Sequence, residues 1–336
     1  MTLSIIIVNY RSAGLIRDSL LSIKQADRFD ASQCEIIVVD NGSGDDSEQR
    51  LTGEFPDIRW IQMGYNSGFA RANNAGIRQS KGEVVLLLNP DTLIVGNAIQ
   101  EACQRLLDST NIGAGVQLLN EDGSPQISGN YFMKGGLNHL MGVPYLGRLI
   151  RAAGLSLKVK KTNVAKAEGE VAVDWINGAF LMAKRSAIDK AGLLDEDFFL
   201  YSEEIEWCSR LYKTGKMVIY GDLHVIHLVG MTASEAFGSS FRGYTELTDR
   251  KGLQLIVSGW LRIRKQFGMG WLLLHAAVYA AAIPVYFLAC IISTLLFRPH
   301  RAAHWRSFAS YTANVCRSIA LLPRMIRRTP YFYKML

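Results

Sequence analysis

Four short apolar runs follow one another in the first part of the chain: LSIIIV (3–8), CEIIVVD (34–40), IRWIQM (58–63) and EVVLLLNPD (83–91). They are too short to be helices of a packed domain and too continuously apolar to be strands with one wet face. Both faces of each strand are therefore expected to be buried. Between them, Leu15 to Gln25 and Phe69 to Gln79 carry apolar residues at helical spacing. Buried strands alternating with helices predict an α/β domain on a Rossmann-like, mostly parallel sheet flanked by helices, with right-handed crossovers. Ligands in such sheets lie beyond the carboxyl ends of the strands. The runs end in polar residues there: Asn9 and Tyr10, Asp40 and Asn41, Asn89 and Asp91.

Charge divides the chain. The net charge is +7, yet residues 250–336 hold thirteen Lys and Arg and no Asp or Glu, which leaves 24 basic against 30 acidic residues in 1–249. The basic character belongs to the tail, where it flanks the uncharged stretch GWLLLHAAVYAAAIPVYFLACIISTLLF (270–297). Cations beside long apolar segments suit an anionic membrane surface and argue against nucleic acid. Residues 271–297 are long enough to cross a bilayer. Both flanks are basic and Pro284 lies near the middle, so a kinked or re-entrant segment is expected, with the amphipathic stretch 305–326 lying in the interface. Residues 128–170 are irregular, with Gly135, Gly136, Gly142, Pro144 and the cluster Lys158, Lys160 and Lys161, and read as an insertion. The domain reading is 1–249 followed by a helical region, 250–336. Five cysteines without ligand-like spacing read as reduced thiols, and no basic n-region precedes the first strand, so no signal peptide is expected.

Taken singly, the polar segments leave alternatives open. Asp40 could accept from a nucleobase or ribose, or cap the turn it opens; Tyr10 could stack on a base or pack. NSGFARANN (66–74) is a Gly-containing loop entering a helix, suited to phosphates but also explained by capping. In LLLNPDT (86–92), Pro90 ends the ladder and aims Asp91 outward, as a hard ligand for Mg²⁺ or Mn²⁺ or as a helix cap. DEDFFLYSEEIEWCSRL (195–211) crowds acids ahead of a helix from Glu203, with Ile205, Cys208 and Leu211 on one face. A carboxylate behind the run Phe198 to Tyr201 could act as a general base, although acids also stabilise a first helical turn. His224 and His227 lie three apart on an expected strand and face opposite sides, so they are not joint ligands of one metal.

In this order, the segments IIIVNY (5–10), EIIVVDNGSGD (35–45), NSGFARANNAGI (66–77), LLLNPDT (86–92), DGSPQ (122–126), DWINGAFLMAKRSAI (174–188), LDEDFFLYSEEIEWCSRLYKTG (194–215) and VIHLVGMTAS (225–234) resemble family 2 inverting glycosyltransferases of the GT-A fold. The resemblance covers about residues 1–235 and is greatest to rhamnosyltransferase-like bacterial enzymes of surface-polysaccharide synthesis. It implies that Val8, Tyr10 and Asp40 hold the nucleobase and ribose, and that Asn66, Gly68, Asn73 and Asn89 line the donor site. Asp91 takes the last position of the DxD-type metal motif, here Asn89-Pro90-Asp91, and His227 the downstream histidine that completes the metal site. Trp175, Asn177 and Gly178 fall between donor and acceptor, and 128–170 becomes an acceptor-side insertion. Glu204, beside Glu203, matches the second acid of the ED-type motif, one methylene longer than Asp.

The implied reaction is one in-line displacement at the anomeric carbon with inversion, Glu204 taking the proton from the acceptor hydroxyl. The implied partners are a nucleotide-diphosphate sugar, with dTDP-rhamnose the leading donor, a lipid-linked glycan acceptor and an anionic membrane. The cofactor is a divalent cation, Mg²⁺ or Mn²⁺, and the expected location is the cytoplasmic face of the plasma membrane. The rival readings are a polyprenyl-phosphate sugar synthase and a catalytically silent nucleotide-sugar-binding subunit. A Rossmann dehydrogenase is disfavoured because no GxGxxG follows the first strand.

Overall fold

The computed structural model describes residues 1–26, 30, 32–159, 161–228, 246–296 and 301–335, without the side chain at 301. Lys160, Arg298 and the segment 229–234 of the last resemblance block lie outside the described residues. In chain order the elements begin β1 (Leu3–Asn9), α1 (Ala13–Lys24), β2 (Cys34–Asp40), α2 (Ser47–Glu54), β3 (Arg59–Gln62), α3 (Gly68–Gln79), β4 (Val84–Leu88), β5 (Thr92–Ile94), α4 (Ala98–Asp108), β6 (Gly113–Leu119) and β7 (Gly129–Asn130). A 3₁₀ segment, Lys134–Gly142, precedes α5 (Leu146–Ser156), β8 (Asn163–Val164), β9 (Glu170–Val173), β10 (Trp175–Ile176), β11 (Phe180–Lys184), α6 (Arg185–Ala191), α7 (Glu203–Leu211) and β12 (Met217–His227). Three long helices follow: α8 (Arg250–Phe267), α9 (Met269–Leu295) and α10 (Arg301–Arg327).

The chain forms two compact units. The first comprises Met1–Tyr131, Asn163–Phe199 and Glu203–Ala233; the second comprises Phe132–Thr162, Leu200–Ser202 and the described residues among 234–336.

The first unit is built on a nine-stranded sheet in the order β3-β2-β1-β4-β11-β6-β12-β5, with β9 also paired to β12. Strands β3, β2, β1 and β4 are parallel to one another, as are β6 and β12. β11 runs antiparallel between β4 and β6, and β5 and β9 are antiparallel to β12. The continuous apolar runs follow from burial on both faces. Ile5, Ile7, Val38, Leu86 and Leu88 pack on one side with α1 and α4, while Ile6, Val8, Ile37, Val39, Val85 and Leu87 pack on the other with α3, α6 and α7. A separate three-stranded ribbon pairs β10 with β7 and β7 with β8.

The second unit packs α8, α9 and α10 against one another. The helix α9 continues through Pro284 as one element. Tyr311 of α10 donates to the Tyr279 carbonyl at 2.9 Å, and the ring of Phe287 lies edge-on to Trp305 at 5.6 Å, so α9 and α10 pair antiparallel. The Asn314 amide donates to the Leu247 and Asp249 carbonyls at 2.9 and 2.8 Å, fastening α10 to the start of α8. Of the irregular stretch, Phe132–Thr162 belongs to this unit: His275 bonds the Gly135 carbonyl at 2.9 Å, and α5 touches α9.

Candidate active site

The polar residues at the ends of β1, β2 and β4 lie along one edge of the sheet because the strands are parallel and in register. Asn9 stands opposite Asp40. Leu88 stands opposite Ile7, which puts Asn89 to Asp91 just past the same edge. β11 approaches antiparallel with Phe180 opposite Leu88, bringing residues 177–179 there too, and Asn89 N–H donates to the Ala179 carbonyl at 3.0 Å. β12 ends at the same place, His227 pairing with Thr92.

Asp40 is buried. It accepts from the Asn9 side-chain amide at 2.7 Å and from the Ser43 N–H at 3.1 Å. The Asn9 oxygen in turn accepts from Ser12 N–H and Oγ, each at 3.1 Å. The turn is thus capped, and these bonds occupy two of about four lone-pair positions of the carboxylate. Val8 is buried among the apolar side chains below, and the half-buried Tyr10 ring has the Arg11 guanidinium 5.5 Å from its centroid.

The 66–74 loop is held from β2. Asn41 Oδ1 accepts from Ser67 N–H and Oγ at 2.7 Å each, and Asn66 Oδ1 accepts from Gly68 N–H at 3.2 Å. Gly68 has φ +78°, and a Cβ there would stand 2.3 Å from the Phe199 carbonyl oxygen, so only glycine fits. That carbonyl accepts from Phe69 N–H at 2.8 Å. The Asn73 side chain donates to the Phe69 carbonyl within its own helix at 2.9 Å.

Asp91 and His227 are brought together. His227 Nε2 lies 3.5 Å from Asp91 Oδ1, both side chains are buried, and Leu228 N–H donates to the Asp91 carbonyl at 2.9 Å. Gln126 determines what they present. Its Nε2 donates to the His227 carbonyl at 2.6 Å and to Asn120 Oδ1 at 2.8 Å, which leaves Oε1 facing His227 Nδ1 at 3.0 Å. An amide oxygen only accepts, so Nδ1 carries a proton and Nε2 is the nitrogen that faces the Asp91 carboxylate. With Nε2 unprotonated, the two groups would offer a shared cation two buried ligands. Among the described residues no group of three or more His, Cys, Asp or Glu gathers to hold a metal, so this pair suits an ion whose other ligands are phosphate and water. His224 lies on the other side of β12, half-exposed, beyond a register shift between Tyr220 and His224.

The acids of 195–206 divide by role. Glu196 accepts from Arg78 at 2.6 Å and from Asn74 at 3.0 Å, Asp195 accepts from Asp197 N–H at 3.0 Å, and Glu206 pairs with Arg210 at 2.8 Å. Glu203 is buried in the first turn of α7. Glu204 is half-buried and lies against Gly178, where a Cβ would stand 3.5 Å from Glu204 Cβ and Cγ. Tyr201 and Ser202, just before this turn, have φ of 71° and 69°, a strained approach of the kind found at functional sites. Burial, with the charge of Glu204 also contributing, pushes the nearby Cys208 thiol up to about 12, so it stays a neutral thiol. Asn177 Oδ1 accepts from Ala179 N–H at 2.9 Å, holding the turn at Gly178, while the half-buried Trp175 pairs with Asn130 across the ribbon.

From the sequence Ser43 and Gln126 receive no role, and Asn9 and Asn41 are only polar residues at strand ends. All four stand in segments that carry the resemblance, but the partners of Asn9, Asn41 and Gln126 are 31, 26 and 101 residues away and no local signal reveals the pairing.

A mixed, mostly parallel sheet flanked by helices in this arrangement is the GT-A fold, which defines the class as glycosyltransferases. The sequence pattern described as Glycosyl transferase family 2 matches residues 4–145. The low-salt glycan biosynthesis hexosyltransferase Agl10 of Haloferax volcanii is 31% identical over 291 residues, covering 79% of this chain and 85% of the relative. The N-acetylglucosaminyl-diphospho-decaprenol L-rhamnosyltransferase of Mycobacterium tuberculosis is 25% identical over 281 residues, 77% of this chain and 86% of the relative. The mannosyltransferase PcManGT of Pyrobaculum calidifontis, solved with GDP-Man and Mn²⁺, has the same fold, with a TM-score of 0.51, 16% identity and coverage of 94% of this chain and 86% of that one. The chain belongs to glycosyl transferase family 2.

Proposed function

We propose that this protein transfers a sugar, with inversion, from a nucleotide diphosphate to a hydroxyl of a lipid-linked glycan in cell-surface polysaccharide synthesis. The observation that carries this reading is the gathering of Asp40, Asp91 and His227 along one sheet edge, beside the Gly178 turn against which Glu204 lies. Asp40 and Tyr10 hold the nucleoside, with Asn66, Gly68, Asn73 and Asn89 along the donor. Trp175, Asn177 and Gly178 position the acceptor. Glu204 takes the proton of the attacking hydroxyl, and Glu203 beside it keeps the helix start electronegative. Asp91 and His227 would hold a divalent cation, Mg²⁺ or Mn²⁺, which would offset the charge on the departing nucleoside diphosphate.

The mycobacterial relative's name supplies the acceptor class, a sugar on a polyprenyl diphosphate, and makes dTDP-rhamnose the first donor to test. The acid-free region 250–336, with the long apolar helix Met269–Leu295, holds the enzyme to the cytoplasmic face of the membrane. Donor turnover measured with and without a lipid-linked acceptor tests the reading. Acceptor-dependent release of nucleoside diphosphate supports it. Transfer to a bare polyprenyl phosphate would replace it with the synthase reading, and binding without turnover with the silent subunit.

A further inference from the structure

The helix α5 has an apolar stripe that the protein does not cover. Leu146, Leu149, Ile150, Ala153 and Leu157 recur at helical spacing along one face of 146–157. Only Gly147 of this helix is buried. Leu149 is 66% exposed and Leu157 77% exposed, with Leu155 and Val159 also exposed beside the C-terminal end. The surrounding charge has one sign: Arg148, Arg151, Lys158 and Lys161 are all cations, and 132–162 contains no Asp or Glu. A soluble surface helix normally mixes charges on its outer face and buries its leucines.

The packing of the same unit extends this surface. Tyr145, just before α5, lies edge-on to Tyr286 of α9 at 5.2 Å. Beyond Tyr286, α9 exposes Phe287, Leu288, Ile292 and Leu295. The two helices therefore present uncovered leucines and isoleucines from neighbouring positions, with tyrosines where they meet, the side chain favoured at a membrane–water boundary.

We propose that α5, with Leu157 to Val159 at its end, lies in the headgroup layer of an anionic bilayer as an interfacial helix, a second membrane contact outside residues 250–336. Charge complementarity selects the occupant. Four cations without an acid suit a negatively charged lipid surface, and an apolar stripe of this width suits the acyl boundary beneath it. The segment interrupts the catalytic chain between β7 and β8, so its docking ties the first unit to the surface at which a lipid-linked acceptor resides.

The proposal rests on the membrane association argued above, and one experiment separates the two. The full-length protein carries Cys316→Ser, which removes the exposed thiol, and a bimane on Leu157→Cys. It is floated with phosphatidylcholine vesicles with and without phosphatidylglycerol, each containing spin-labelled lipid. Quenching of the bimane on the anionic vesicles is expected. Replacing Arg148, Arg151 and Lys158 by Gln should weaken partitioning about 100-fold, roughly fivefold for each charge. Protein that does not float overturns both readings. Protein that floats with its bimane unquenched overturns only the assignment of α5. A dimer that Leu149→Ser with Leu157→Ser converts to monomer, with flotation unchanged, would assign the stripe to a second copy and likewise overturn the proposal.

Discussion

The two units solve the problem of polar groups in opposite ways. In the first, buried polar side chains are matched by one another: Asn9 with Asp40 and Ser12, Asn41 with Ser67, Gln126 with His227. Each of these groups, removed from water, recovers a partner, which fixes side-chain positions at the sheet edge. In the second unit, the sequences 132–162 and 250–336 contain no acid, and leucines on α5 and α9 stand in the open. A surface of that composition is suited to the boundary of a bilayer. The contrast shows how one chain divides its labour: precision of placement where chemistry occurs, a single sign of charge with uncovered apolar area where the surface is.

Substitutions that act on one unit and spare the other test that division. Glu204→Gln should lower kcat by about 10²–10⁴-fold while donor affinity and vesicle flotation stay unchanged, since a general base contributes roughly that factor. Retained turnover within a few-fold would remove Glu204 from the chemistry. Gln126→Leu should weaken divalent-cation affinity about 10–100-fold, as loss of a ligand's orienting partner does. Isothermal titration with Mn²⁺ reads it directly, and unchanged affinity would mean that the His227 tautomer does not matter. Asp91→Ala should abolish that heat altogether, and excess chelator should reproduce its rate. Raising the salt concentration should weaken the preference for anionic over neutral vesicles and leave kcat on a soluble acceptor analogue unaltered. Asp222→Asn, which breaks a bidentate pair with Arg105 at 2.9 and 2.7 Å on the surface of the first unit, should cost less than about 1 kcal/mol of stability and leave both functions alone. Because 132–162 packs with the C-terminal helices, charge substitutions are a cleaner test of membrane contact than removal of 250–336. Truncation would strip Gly135 and Gly136 of their neighbours Trp271 and Ile263.

Much of the first unit was legible because its signals are local. Val, Ile and Leu runs announce strands buried on both faces; β2 and β4 fall inside the runs that predict them, and β1 extends past its run to Asn9. The start of α7 at Glu203 and the face made by Ile205, Cys208 and Leu211 could be read from spacing alone. Pro284 shows what a local signal leaves open, because a proline inside a helix is judged from sequence by the hydrogen bond it removes. In α9 the helix continues through it, packed on α8 and α10. The irregular 128–170 stretch showed only that it was irregular. Its short strands β7, β8 and β9 and its helix α5 are defined by distant partners, and Phe132–Thr162 groups with helices more than a hundred residues later.

The sequence by itself determined the alternation of strands and helices, the polar residues at the strand ends, the acids before α7 and the separation of charge between the two parts of the chain. These depend on neighbours a few residues apart, whose spacing is set by the helix and strand repeats. Only the tertiary structure decided which of those residues meet. Asp91 faces His227 because β12 returns beside β5, and Glu204 lies against Gly178 because α7 packs on the segment leading into β11. Nor does composition say which leucines are covered. α5 has the same amphipathic pattern as a helix that packs on a core, and its stripe is left open by the elements that surround it, a property of the fold that no spacing along the chain records.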